Sequence, residues 1–305
     1  AEDGIRDIGV TGVQTCALPI FLVITGCTSS AVNNGVDQSK VDKAAQALLP
    51  ADYLTAGINV ASDIPYEPFE YWDESGKLTG FDIELGDLIG QKLGVKMNYN
   101  DQVFDTIIAS LESGNNDIIL SSMSDTIERQ AKVDFVDYNI GGSQMIVAKG
   151  NPKGITDAMG LCGKTVIVQN GTIQIDLVGR MSTDCTSAGK SAIKITQLPD
   201  APSMENALRA GSGDAVMMDS FVAQGAAAKA GDGEYFDVVS DPAAPNGYEA
   251  GYVGIAILKK DTQLRDAIQA ALQSLIDDGQ YATLLAKWNM SANGVTSASI
   301  NGTKQ

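Results

Sequence analysis

Between residues 58 and 258, apolar runs of strand length alternate with segments of helical spacing, and this alternation restricts the chain to an open α/β architecture. Ile58 and Val60 start the pattern as a strand. Phe81, Leu85, Leu88 and Ile89 follow at helical spacing, with Gly94 placed to end the helix as its C′ residue. Val95, Met97 and Tyr99 alternate as a second strand. Phe104, Ile107, Ile108 and Leu111 predict a second helix, and Asp117-Ile118-Ile119-Leu120 a short buried strand. The pattern repeats after residue 145. Strands are expected at 144–148, 164–168, 193–196, 214–218, 236–240 and 251–258, and helices at about 173–182, 202–210, 219–229, 264–276 and 278–288. Two α/β units of similar size joined by extended segments imply two lobes around a cleft. Ligands of such sheets bind outside the carboxyl ends of the strands. The loops at 62–69 and 121–129 both follow strands and both fall at that edge.

The second of these loops, Ser121-Ser122-Met123-Ser124-Asp125-Thr126-Ile127-Glu128-Arg129, concentrates hydroxyls and one Arg between a strand and a helix start. Thr126 or Asp125 can cap the helix, and Asp125 with Glu128 has capping-box spacing. Free backbone N–H groups there favour an anion. The Arg fork would complete a carboxylate clamp. The plainer alternative is a capped helix with a surface Arg.

Composition removes several classes. The 305 residues, 44% hydrophobic and 19% charged, suit a globular protein of one large or two modest domains. A net charge of −17 argues against nucleic acid as a partner and is compatible with a cationic ligand. Without any His, there is no His triad, His metal site or His switch. None of Cys16, Cys27, Cys162 and Cys185 forms a CxxC pair, so zinc and thioredoxin-type readings lack support. In an exported protein Cys162 and Cys185 are expected to form a disulfide, the alternative being two buried thiols.

Ala17 to Cys27 is apolar but too short to span a membrane, and fits a signal h-region entering a cleavage site. Ile24-Thr25-Gly26-Cys27 resembles the bacterial lipobox, which implies cleavage before Cys27 and a lipid on its sulfur. Ala1 to about Ile20 lacks the Met and the basic start of a signal peptide, and reads as translated sequencing-adapter read-through joined to a truncated gene. Residues 1–27 are therefore expected to be a signal-peptide remnant with an artefactual N-terminus, and with Cys16 are set aside from fold reasoning. Residues 28–52 are expected to be a tether and 291–305 a frayed polar tail.

Several motifs occur in order along the remaining chain. They are Asp63-Ile64-Pro65-Tyr66-Glu67-Pro68-Phe69, Gly76-Lys77-Leu78-Thr79-Gly80-Phe81-Asp82, the 121–129 stretch and Val133-Asp134-Phe135-Val136-Asp137. Gly163-Lys164-Thr165-Val166, Gln169-Asn170-Gly171-Thr172, Gly213-Asp214-Ala215-Val216, Asp278-Gly279-Gln280-Tyr281 and Lys287-Trp288 follow. Together they resemble the family 3 extracellular solute-binding proteins, the amino-acid receptors of bacterial ABC importers. The resemblance implies a two-lobe type II periplasmic-binding-protein fold with a ligand cleft between the lobes. Lobe 1 would comprise 53–142 plus 253–290 and lobe 2 145–241, with crossings near 142–145 and 241–252. It further implies an extracytoplasmic, lipid-anchored monomer that carries no cofactor, does no chemistry and delivers an amino acid to a permease.

Site residues carry over one at a time. Arg129 matches the Arg that pairs with the ligand α-carboxylate, and Ser124 and the backbone around Ser122 match its hydrogen-bonding partners. Asp219 matches the carboxylate that takes the α-ammonium, its alternative role being a plain helix N-cap. Tyr66 and Phe104 match positions that pack on the ligand side chain, although Phe104 also suits a helix core. Thr172 and Gln174 are placed to add donors to the carboxylate. Ile173 departs from the family, where a second Thr is common. Asp63 matches a position that contacts the distal end of the ligand. It suits a Lys, Arg or ornithine head, or the amide of Gln or Asn, so a polar or cationic L-amino acid is expected. The competing class is an enzyme on the same fold, of the cyclohexadienyl dehydratase type, with Glu67 or Asp63 as its acid. The intact pair of Arg129 with Asp219 favours the receptor.

Overall fold

A computed structural model of the chain describes residues 36–304. The expectations for the signal remnant, for Cys16 and Cys27, and for the first part of the tether lie outside those residues. The later part of the tether departs from expectation. A 3-10 turn at Gln38–Lys40 is followed by α1 (Lys43–Gln46) and α2 (Tyr53–Ala56). Asp42 caps α1 by accepting from the N–H groups of Ala44 and Ala45. Ala45 of α1 and Leu49 of the turn after it are buried in the main core together with α3 (Phe81–Leu93). The polar composition of this segment concealed these apolar residues.

Among the described residues the centre is a mixed ten-stranded sheet. Its first half holds β1 (Ile58–Ser62), flanked in parallel by β4 (Met97–Asp101) and β5 (Ile118–Ile119). A small hairpin of β2 (Tyr71–Trp72) and β3 (Leu78–Thr79) stands apart from it. A 3-10 turn at Phe104–Thr106 leads into α4 (Ile107–Glu112), and α5 (Ile127–Gln130) follows β5. The second half is also parallel: β7 (Thr165–Gln169) lies between β8 (Lys194–Leu198) and β9 (Ala215–Asp219). Its helices are α6 (Gln174–Ser187), α7 (Ala201–Arg209) and α8 (Ser220–Lys229). Strands buried on both faces in this way read as continuous apolar runs, as Val166-Ile167-Val168 and Ala215 to Met218 do.

Two long antiparallel strands join the halves. The strand β6 (Val133–Ala148) pairs with β11 (Tyr248–Leu258) from Ser143 opposite Tyr248 to Val133 opposite Leu258, with two bulges. At its far end β6 pairs with β9 and with β10 (Phe236–Val239). Gly142 lies in β6 where a Cβ would meet the Asn246 carbonyl at 2.6 Å, so only Gly lets the strand and the loop before β11 approach this closely. Next, α9 (Thr262–Asp277) and α10 (Gln280–Lys287) cover the first half, Leu264, Ile268, Leu272 and Leu275 packing in one core with Phe81, Leu85, Ile89 and Leu93 of α3. Each such side chain contributes about 1.5–3 kcal/mol when buried.

The expected frayed tail is instead a strand, β12 (Gly294–Ile300), antiparallel to β6. Ala298 is buried, and β-branched Val295, Thr296 and Ile300 suit a strand. Much of its hold is polar: Ser299 Oγ and the Gly302 N–H both donate to Asp137 Oδ2, at 2.7 and 2.8 Å. A hydrophobic count cannot register such bonds. Cys162 and Cys185 are joined by a disulfide that ties the segment before β7 to α6.

Candidate functional site

Four strands deliver polar residues at their carboxyl ends. Asp63 follows β1, Ser121 and Ser122 follow β5, Gln169 ends β7 and Asp219 ends β9. They meet in one narrow cavity between the two halves of the sheet. Every site residue expected from the sequence lines it: Asp63, Tyr66, Phe104, Ser122, Ser124, Arg129, Thr172, Gln174 and Asp219.

Arg129 sits on α5, a single turn whose start is fixed by the Thr126 hydroxyl accepting from the Arg129 N–H at 3.2 Å. Thr126 is thus the cap. Asp125 is buried and accepts instead from Gln130 Nε2 at 2.6 Å and from the Thr303 N–H at 3.1 Å. The Arg129 guanidinium donates to the Ser124 carbonyl at 2.9 Å and, from the opposite half of the sheet, to the Gly171 carbonyl at 3.0 Å. It also lies over the Phe104 ring, 5.5 Å from the centroid. Loss of water around the guanidinium pushes its pKa down to about 10.

The Asp219 side chain makes no capping bond to α8. Its carboxylate accepts from Ser122 Oγ and from Gln174 Nε2, both at 3.0 Å, and burial holds its pKa above the usual carboxylate value. Ser122 reaches it from a left-handed backbone, φ +44°, an uncommon conformation for a residue with a Cβ. Asp63 is only 7% exposed and accepts from Gln169 Nε2 at 2.5 Å. Burial first, and the neighbouring Asp101, Asp200 and Asp105 second, raise its pKa to about 7 against the pull of that bond.

Two residues expected to donate outward are engaged within the protein. Thr172 Oγ1 donates to the Gln169 carbonyl at 2.8 Å, and Gln174 Nε2 donates to Ser143 Oγ at 3.0 Å as well as to Asp219. Gln174 therefore orients the carboxylate Asp219. Gln169, Ser121 and Ile173 also line the cavity and were not singled out as site residues from the sequence. Gln169 faces a partner 106 positions away, but its place as the last residue of a strand at the ligand edge was a usable signal. Glu67, the acid considered for catalysis, pairs with Lys229 and is not among the lining residues.

Residues 58–291 match the bacterial extracellular solute-binding proteins, family 3. The chain belongs to that family. This solute-binding protein is 33% identical to the arginine-binding protein ArgT of Corynebacterium glutamicum over 257 residues, covering 84% of this chain and 80% of the relative. It is 32% identical to the arginine-binding extracellular protein ArtP of Bacillus subtilis, covering 73% and 82%. An ancestral arginine-binding protein, solved bound to arginine and also to glutamine, superposes with a TM-score of 0.67 at 32% identity, over 76% of this chain and 96–97% of that one. These relatives are binding proteins, and this chain too is a receptor and not an enzyme on their fold. No helix among the described residues is long and apolar enough to cross a membrane.

Proposed function

We propose that this receptor binds a cationic L-amino acid, arginine foremost, and passes it to the permease of an ABC importer. One observation carries the reading: among the described residues, the charged groups lining the cavity are one guanidinium, Arg129, and two carboxylates, Asp219 and Asp63. A cationic amino acid brings one carboxylate and two cations, so each charge meets an opposite one. Arg129 takes the α-carboxylate, aided by Ser124 and the backbone around Ser122. Asp219, held by Ser122 and Gln174, takes the α-ammonium. Tyr66 and Phe104 flank the aliphatic stem, and Asp63 with Gln169 receives the distal head. Glutamine would leave one carboxylate without a cation, a costly arrangement for a buried charge. The names of the relatives support the same ligand class. On this reading the protein is a monomer anchored by a lipid on Cys27.

The test is a thermal-shift panel at pH 7.5 with L-arginine, L-lysine, L-ornithine, L-glutamine and L-cystine. A ligand at about 100 times its Kd stabilises the bound form by about 2.7 kcal/mol. The reading expects the largest shifts from the cationic members. A panel led by glutamine or cystine would contradict it.

A further inference from the structure

Behind the cavity, against Ser121 and Ser122, lie two acids that the binding scheme leaves unused. Glu70 and Asp82 are both without any solvent exposure. Glu70 closes the tight loop after β1, its carbonyl accepting from the Tyr66 N–H at 2.7 Å, and Asp82 opens α3. Ser121 Oγ donates to Glu70 Oε1 at 2.6 Å. The Ser122 N–H and the Tyr138 hydroxyl both donate to Asp82 Oδ2 at 2.8 Å. The other two oxygens, Glu70 Oε2 and Asp82 Oδ1, are buried with no hydrogen-bond partner among the described residues. Each carboxyl lies close enough to the other to act on its ionisation. The ionisable groups facing them are Asp63, Asp219, Tyr66, Tyr99 and Tyr138, none of which supplies a positive charge.

Two ionised carboxylates side by side in such a place would repel each other, on top of the cost of burying two charges. One proton between them removes one charge and gives both orphaned oxygens a partner. We infer that Glu70 and Asp82 share a single proton, and that this acid–carboxylate pair is the positioning element that locks Ser121 and Ser122 in the turn aiming Ser122 Oγ at Asp219. The fixed points are the bonds already given: one carboxyl holds the Ser121 side chain, the other holds the Ser122 backbone at its positive φ. Burial favours the neutral form and pushes both acids up, so the folded chain holds the proton well above the pH at which the unfolded chain releases it. The sign follows. Below the unfolded carboxylate range the pair's full contribution to stability is present, and it is lost as pH rises through the folded ionisation.

The link to the ligand rests on the proposed role of Asp219, so the experiment has one arm free of ligand. In that arm Tm is followed from pH 6 to 10 for the wild type, Glu70→Gln and Glu70→Ala. The Gln amide donates permanently to Asp82 where the shared proton did, so Glu70→Gln should fold and flatten the alkaline fall in Tm expected of the wild type. In the second arm, the Kd for L-arginine at pH 7.5 should change little in Glu70→Gln and rise by about tenfold or more in Glu70→Ala, whose cavity frees the Ser121 side chain. An alkaline Tm profile identical in wild type and Glu70→Gln would overturn the shared proton. So would a Gln variant as impaired as the Ala variant, because an ionised Glu70 would then be what the site needs. A wild type that binds no amino acid would refute the ligand reading alone and leave the Tm arm to test the pair.

Discussion

Arg129 gives donors to two backbone carbonyls, Ser124 and Gly171, and sets its guanidinium over the Phe104 ring, so its position is set before any ligand carboxylate approaches. Removing one partner of a buried charge pair costs about 3–5 kcal/mol, so Arg129→Ala should weaken arginine binding by roughly two to three and a half decades. Calorimetry and circular dichroism check this, and a folded variant within about threefold of wild type would place the carboxylate elsewhere. At Asp63 the argument concerns protonation. Its pKa of about 7 means that a cationic head must displace a proton near neutrality. Affinity for arginine should fall as pH drops below about 7, and binding near pH 7 should release protons, measurable in buffers of different ionisation enthalpy. Asp63→Asn should cost about 2 kcal/mol with arginine and little or nothing with glutamine, which brings no cation for Asp63 and whose amide still finds an acceptor in Asn. Without ligand the sign reverses: the folded protein holds the Asp63 proton more tightly than the unfolded chain, so this group's contribution to stability declines between about pH 4 and pH 7. The residues legible in the sequence, such as Arg129 and Asp219, sit in motifs with local spacing. Gln169 finds its partner Asp63 only where β7 meets the loop after β1, and Glu70 and Asp82 gain their roles only where the turn at Ser121 and Ser122 packs on both.

The alternating strands and helices could be read because each carries a single period, as in the apolar positions of α3 and the buried run of β7. β12 and α1 could not, since β12 is held largely by polar bonds to β6 and α1 is a single turn whose apolar residues pack on a neighbour's surface. Asn301, Gly302 and Thr303 continue from β12 to Phe135, Asp137 and Asp125, the last beside the Arg129 turn. Deleting 294–305 should therefore cost at least about 2 kcal/mol, because bonds to two carboxylates are lost. Urea unfolding measures it, and a truncated chain as stable as the full one would show that the strand is dispensable. The disulfide has a different signature. Its cysteines are 23 positions apart, and for a loop of that size the chain-entropy account gives about 3 kcal/mol. Replacing both Cys162 and Cys185 by Ala should lower stability by that order and leave Kd unchanged, since neither lines the cavity. A shifted Kd would mean that the bridge positions the site.

In the whole molecule, the halves of the sheet touch across the cavity through Arg129 with Gly171, Asp63 with Gln169 and Ser122 with Asp219. They are joined by β6 and β11, where Gly142 admits the close approach of a neighbouring loop. Such a frame suits hinge closure on a ligand gripped from both sides. The account stands on a ligand carrying a carboxylate and two cations. The direct test is a calorimetric titration of the full chain at pH 7.5 with L-arginine, set beside agmatine, which keeps the guanidinium and lacks the carboxylate. The account predicts one arginine per chain with a Kd of about 1 μM or tighter, worth about 8 kcal/mol, and no measurable heat from agmatine. Agmatine binding as tightly as arginine, or no binding of arginine at all, would contradict it.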